Sequence, residues 1–211
     1  LSNSSNDKLK VWIDVDSVVY ESVIRMCDMY TIYYSGHPRY VEPNHEKMSK
    51  WNGEDELPLL QKGDIELIFS EPDFYIDSLI KRDCIEVLER LSHIKEIELG
   101  FCSIGTSENI KYKIDFLKRN FPFIKQSIFI TYDGGSAKLD KSVLKGDFML
   151  LDDNVENLRT SKVSVPVVFM DRGKKEWNEG YNNKDYVIAN SWLDFEFRMK
   201  ILRGMMKNGV C

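Results

Sequence analysis

Lys8–Met26 reads KLKVWIDVDSVVYESVIRM. A short apolar run, Val11-Trp12-Ile13, ends in two carboxylates one residue apart, Asp14 and Asp16. Beyond them Val19, Val23, Met26, Cys27 and Tyr30 recur at helical spacing. A strand that ends in acids and gives way to a helix poses a topological question, which the rest of the chain answers.

Working outward, RDCIEVLERLSHI is an amphipathic helix with Ile85, Leu88, Leu91 and Ile94 on one face. EIELGFCSIG follows as a strand ending in small residues. SENIKYKIDFLKRNFP is a helix with a Ser cap and a Glu in its first turn. IKQSIFITY, DFMLLDDN and VPVVFMD are strands, separated by the short turn or helix DKSVLKG and the helix VENLRTSK. A last helix, SWLDFEFRMKILRGMM, closes the pattern. Such alternation over residues 84–200 predicts an α/β fold: three layers, a Rossmann-like parallel sheet with helices on both faces. Residues 19–82 interrupt it. They are partly helical, broken at Pro72 and rich in Gly, Pro, Asn and charge over 35–64, which suits a small, mainly helical cap inserted after the first strand. The expected organisation is therefore a flexible tail over 1–8, a core over 9–18 and 83–211, and a cap over 19–82.

A chain of 211 residues can bury one sizeable core and an appended module. The formal net charge of -5 disfavours a polyanion-binding surface, so no nucleic acid polymer is expected as partner. Cys27, Cys84, Cys102 and Cys211 form no CxxC pair, and His37, His45 and His93 are scattered; neither a disulfide framework nor a zinc site is indicated. Free thiols suit a reducing compartment, and no apolar run reaches the length that spans a bilayer. A cytoplasmic protein with no membrane partner is the expectation; a monomer and a homodimer both stay open.

In an open parallel sheet, ligands bind beyond the carboxyl ends of the strands. Asp14 and Asp16 lie at one such end and Asp152 and Asp153 at another; Ser103 follows IELGFC, and Lys141 precedes the strand that carries Asp152. Each alone has a plainer explanation: a solvated turn acid, a helix-opening Asp, a cap serine, a surface lysine. Their order carries more weight. Clustered carboxylates repel unless a cation holds them, and oxygen ligands without paired Cys or clustered His point to Mg²⁺. One aspartate could then attack phosphorus while the metal and a lysine neutralise the phosphoryl oxygens. A small phosphorylated substrate follows.

WIDVDSV, GFCSIG, LDKSVLKGD and MLLDDN, in this order, resemble the motifs of the haloacid dehalogenase (HAD) superfamily phosphatases. The insertion after the first motif, the run IFSEPDFYIDSLIKRDCIEVLERL and the late VIANSWLDFEF are more closely similar to the 5'(3')-deoxyribonucleotidases and their bacterial and phage relatives. Over residues 9–200 the resemblance implies a HAD-like fold and Mg²⁺-dependent hydrolysis of (deoxy)nucleoside monophosphates through an aspartyl-phosphate. It implies Asp14 as nucleophile and Asp16 as general acid and then base, with Ser103 and Lys141 on the phosphate. Asp14, the Asp16 carbonyl, Asp152 and Asp153 would serve the metal, with the direct ligand of the last two left open. Trp51, Phe69 and Tyr75 would surround the base, although ordinary core packing accounts equally for the first two. Three features depart from the pattern: Ser17-Val18 in the first motif, Asn154 where some relatives carry a basic residue, and IKRDC in place of a Pro-rich lead into the second motif. A phosphatase for another small phosphoester, such as a sugar phosphate, and a non-catalytic binding protein of the same fold are the alternatives.

Overall fold

The computed structural model describes residues 8–132, 140–181 and 184–207, so most of the expected tail lies outside the described residues. Six strands form one sheet in the order β3-β2-β1-β4-β5-β6: β1 (Leu9–Ile13), β2 (Ile97–Gly105), β3 (Gln126–Thr131), β4 (Met149–Asp152), β5 (Val165–Phe169) and β6 (Val187–Ala189). All five pairings are parallel. β6 has only three residues, too short for its apolar run VIA to stand out, and the sequence pattern missed it.

Strand residues alternate between faces, and two cores follow from that alternation. Val11 and Ile13 join Met149 and Leu151 in the larger core, with Leu88 and Leu91 of α3 (Cys84–Ser92), Phe116 and Leu117 of α4 (Ser107–Asn120), and Trp192 and Phe195 of α6 (Trp192–Lys207). Trp12 points the other way, toward Cys102, Leu150, Val168 and Leu158 of α5 (Val155–Ser161). The Trp12 indole covers Gly100 of the neighbouring strand so closely that a Cβ there would lie 2.4 Å from the ring. Trp12 Nε1 donates to Asp147 at 2.6 Å. The cap of α4 is Thr106, whose hydroxyl accepts from Asn109 N at 3.1 Å; Ser107, expected as the cap, is the first helical residue.

α1 (Ser22–Tyr34), α2 (Asp64–Phe69) and a 3₁₀ turn, Asp77–Leu79, occupy the inserted segment. The chain leaves and re-enters the sheet layer side by side: Lys81 N donates to Val19 O and Glu21 N to Leu79 O, each at 2.9 Å. Lys81, buried beside this pair, donates to Glu21 and Asp171. Val23, Met26, Tyr30, Met48 and Leu57 of the insertion share one continuous core with the sheet.

A bidentate pair fastens α3 to α6. Arg90 Nε and Nη2 donate to the two oxygens of Glu196 at 3.0 and 2.8 Å, and Lys200 lies 3.0 Å away. The Arg90 bonds hold Glu196 down to about 2, against 4.5 ordinarily. A carboxyl lowered on folding stabilises above its unfolded value and loses that contribution as pH falls toward its folded one. Glu196→Gln should therefore cost on the order of 1 kcal/mol at neutral pH, with half-exposed Arg90 screening the pair. The gap in denaturation free energy between variant and parent should close as pH falls from about 4.5 to about 2; a gap constant with pH would refute the assignment.

Candidate active site

The strand order reverses direction at β1, with β2 on one side and β4 on the other. A crevice forms at such a switch point, beyond the carboxyl ends of the strands. Val11 pairs with Met149 and Ile13 with Leu151, so the next residue, Asp14, emerges level with Asp152, and Asp14 N donates to Leu151 O at 2.9 Å. Ile13 also faces Phe101, which brings Ser103 to the same rim from β2. Immediately afterwards Ser17 adopts φ 58, a left-handed turn that a β-substituted residue rarely takes. Strain of this kind is concentrated at functional sites.

Two buried ammonium groups organise the acids. Lys141 Nζ bridges Asp14 Oδ1 and Asp152 Oδ2, each at 2.6 Å. Burial opposes its charge, but Asp14 and then Asp152 outweigh that and raise its affinity for the proton. Lys113 Nζ, on α4, donates to Asp16 Oδ2 at 2.7 Å, Ser103 Oγ at 2.8 Å and Ile104 O at 3.3 Å. Asp16 Oδ1 also accepts from Ser22 Oγ and Tyr75 OH, each at 2.9 Å. Three of its roughly four lone-pair sites are thus occupied.

Asp152 and Asp153 are adjacent in sequence and differently placed. Asp152 is fully buried and accepts three bonds, from Lys141, from Asn154 N at 2.8 Å and from Asn157 Nδ2 at 3.3 Å. Asp153 has a buried oxygen, Oδ2, without a donor among the described residues. Burial, then the charges of Asp152 and Asp14, raise its affinity for a proton well above that of an ordinary aspartate. Oxygens of Asp14, Asp152 and Asp153 lie within 4.8 Å of one another. Four carboxylates here face two ammonium groups, an excess of two negative charges when all are ionised. That excess, the unpaired Asp153 oxygen and the all-oxygen donor set fit a hard divalent cation.

Above the acids opens a cavity of about 580 Å³, within the usual range for a small-molecule site. Asp14, Asp16, Ser103 and Asp153 reach it from the sheet; Trp51 and Phe69 wall it from the insertion. Lys141 and Asp152 support it from behind. Tyr75, expected to face a base, does not line the cavity: its buried hydroxyl donates to Asp16 and accepts from Asn109 Nδ2 at 3.0 Å. Asn109 Nδ2 also donates to Phe69 O at 2.7 Å, tying this wall of the cavity to the support of Asp16. A Cβ at Gly105 would lie 2.3 Å from Asn109 Oδ1, so only glycine leaves room for this link. Asn154, one of the departures noted above, lines the cavity and caps α5 through bonds to Glu156 N and Asn157 N.

Lys113 and Trp177 were not singled out from sequence. Lys113 had a signal: it lies three residues from both Ile110 and Phe116, on the buried stripe of α4, where lysine is out of place. Trp177, in the loop after β5, lines the cavity beside Trp51; a bulky ring inside the polar stretch DRGKKEWNEGY was its only mark.

The model of the family described as "5' nucleotidase, deoxy (Pyrimidine), cytosolic type C protein" matches residues 8–201. Among curated proteins none matches. Solved structures share the fold at low identity. A HAD-superfamily hydrolase from Ehrlichia chaffeensis is 12% identical with a TM-score of 0.55, over 94% of this chain and 99% of that one. A predicted phosphatase from Clostridium acetobutylicum is 14% identical with a TM-score of 0.61, over 92% and 98%. A conserved haloacid dehalogenase-like protein from Agrobacterium tumefaciens is 13% identical with a TM-score of 0.58, over 93% and 99%. Among the described residues, no helix is long and apolar enough to cross a membrane.

Proposed function

We propose, from the premise that the chain belongs to the 5' nucleotidase, deoxy (pyrimidine), cytosolic type C family, that it is a Mg²⁺-dependent phosphomonoesterase for (deoxy)nucleoside monophosphates. The family match supports a phosphatase, and the fold is shared with HAD-superfamily hydrolases. One observation carries the finer reading: a cavity walled by aromatic rings opens onto Asp14 and Asp153.

Asp14 and Asp153 would hold the cation, with the Asp16 carbonyl as the resemblance implies. Asp152, which accepts from Lys141, Asn154 and Asn157, would serve the cation directly or through water and fixes the ammonium that neutralises Asp14. Mg²⁺ would supply charge neutralisation at the phosphoryl oxygens. Asp14 attacks phosphorus; the bond from phosphorus to the ester oxygen breaks, and protonated Asp16 gives its proton to the leaving alkoxide. Asp16 then takes a proton from water, the resulting hydroxide attacks the aspartyl-phosphate, and the bond from phosphorus to the Asp14 oxygen breaks to release inorganic phosphate. Ser103, held by Lys113, offers its hydroxyl proton to a phosphoryl oxygen. The rings of Trp51 and Phe69 exclude water and take the base.

Phosphate release from a panel of nucleoside monophosphates and from ribose 5-phosphate, with Mg²⁺ and with chelator, is the test. Turnover that needs Mg²⁺ and runs about tenfold or more faster in kcat/KM on nucleotides is the expected result, since stacking a base on an aromatic ring is worth about 1–3 kcal/mol. Equal or better rates on the sugar phosphate would favour a phosphatase of another small ester. Tight nucleotide binding without turnover at any pH or metal would make it a binding protein.

A further inference from the structure

We propose that Trp177, carried by the core rather than the cap, is a specificity-determining wall of the base-binding slot, and that Lys175 positions it by pinning its loop to the cap. The inference rests on the nucleotide reading above. Four aromatic residues border the cavity, Tyr132 from the end of β3 and a group of three, Trp51, Phe69 and Trp177, in contact through Trp51. Trp51 lies between the other two of the group, 5.6 Å from Phe69 at 52° and 5.7 Å from Trp177 at 76°. Phe69 is buried, whereas Trp51 is 38% exposed and Trp177 is half-buried. Trp51 and Trp177 therefore meet edge to face and leave apolar surface turned to an open cavity, a corner into which a flat heterocycle fits by stacking on one ring and touching the edge of the other.

The loop that carries Trp177 is built to hold still. Asn178 Oδ1 accepts from Lys175 N at 2.8 Å, and Asn178 Nδ2 donates to Gly173 O at 3.2 Å, closing the turn on itself. Lys175 is buried, and its ammonium donates to the main-chain carbonyls of Glu46 at 3.0 Å and Met48 at 2.7 Å, both in the insertion. Glu176 N adds a bond to Ser49 O at 3.0 Å. Burying an ammonium against carbonyls is costly unless its donors are well used. Here they tie the segment just before Trp51 to the segment just before Trp177, so the two rings keep their corner. Trp177 is thus placed by the core and by the cap together, which makes the slot complete only when the two are engaged.

The measurement is the ratio of kcat/KM for a nucleoside 5'-monophosphate to that for ribose 5-phosphate, in the parent and in Trp177→Leu, Trp177→Phe and Lys175→Met. Leu keeps apolar bulk without a ring, and should lower the ratio about tenfold. Phe keeps a ring and should retain most of it. Lys175→Met leaves Trp177 in the chain but unties it, and should lower the ratio several-fold. A parent ratio near one would remove the nucleotide reading and this inference together. A high parent ratio that survives Trp177→Leu would overturn this inference alone. If the Leu variant does not fold, the ratio in Lys175→Met decides: unchanged, it overturns the proposal.

Discussion

Asp14→Asn is expected to lower turnover by at least about 10⁴-fold, the scale of loss when an enzyme's only nucleophile is removed, while the protein folds as stably as its parent or more so. The amide cannot displace an alkoxide from phosphorus. Its cost to the fold should be small or negative, for reasons visible around the residue. Burial, foremost, and then the charges of Asp152 and Asp16 raise Asp14 to about 6, against the pull of Lys141 and Lys113. An acid raised on folding destabilises the fold at every pH above its folded value. Asparagine removes that penalty, its oxygen still accepts from Lys141, and Asp152 still neutralises the ammonium. Residues kept for chemistry at the expense of stability are a recurrent feature of active sites. Phosphate release and thermal unfolding of the metal-free proteins, measured in parallel, separate the outcomes. Activity within tenfold of the parent would remove Asp14 as nucleophile. Inactivity accompanied by a melting point several degrees lower would mean that the carboxylate holds the fold rather than the reaction.

The parallel sheet was legible because β1, β2 and β4 are buried on both faces and announce themselves as apolar runs. Asp14, Asp16, Ser103, Asp152 and Asp153 could be brought to one rim of the sheet before any coordinates, because a parallel sheet aligns its carboxyl ends. What sequence order cannot encode is which atoms of an assembled site are already taken. Asp152 and Asp153 are equivalent as letters; only the placement of Lys141, Asn154 and Asn157 gives one of them three donors, while an oxygen of the other has none among the described residues. Tyr75 after Pro72 looked like a wall and is a prop, since its hydroxyl finds Asp16 across 59 residues of chain. Trp177 escaped because its role depends on a docking between two loops, and neither loop has a periodicity to read.

Lys113 offers the sharpest separation between holding a site and performing its chemistry. It is fully buried, and its ammonium is shared between the carboxylate of Asp16 and the hydroxyl of Ser103. Removing one partner of a buried ion pair leaves the other uncompensated, so Lys113→Met should cost on the order of 3 kcal/mol in stability. It should also lower kcat by about 10²-fold, the scale of general acid–base catalysis, because Asp16 loses the donor that sets its orientation toward the leaving oxygen. Asp16→Asn alone abolishes the acid. Combined with Lys113→Met, it should recover most of the lost stability and none of the turnover, since an amide beside methionine carries no stranded charge. The two substitutions are therefore coupled by roughly 2 kcal/mol in the denaturation cycle, and the recovered protein stays inactive. If the stability losses simply add, Lys113 is a packing residue whose charge Asp16 does not feel. If Lys113→Met keeps the parent's kcat, the orientation of Asp16 comes from Ser22 and Tyr75 alone, the two remaining donors on Oδ1.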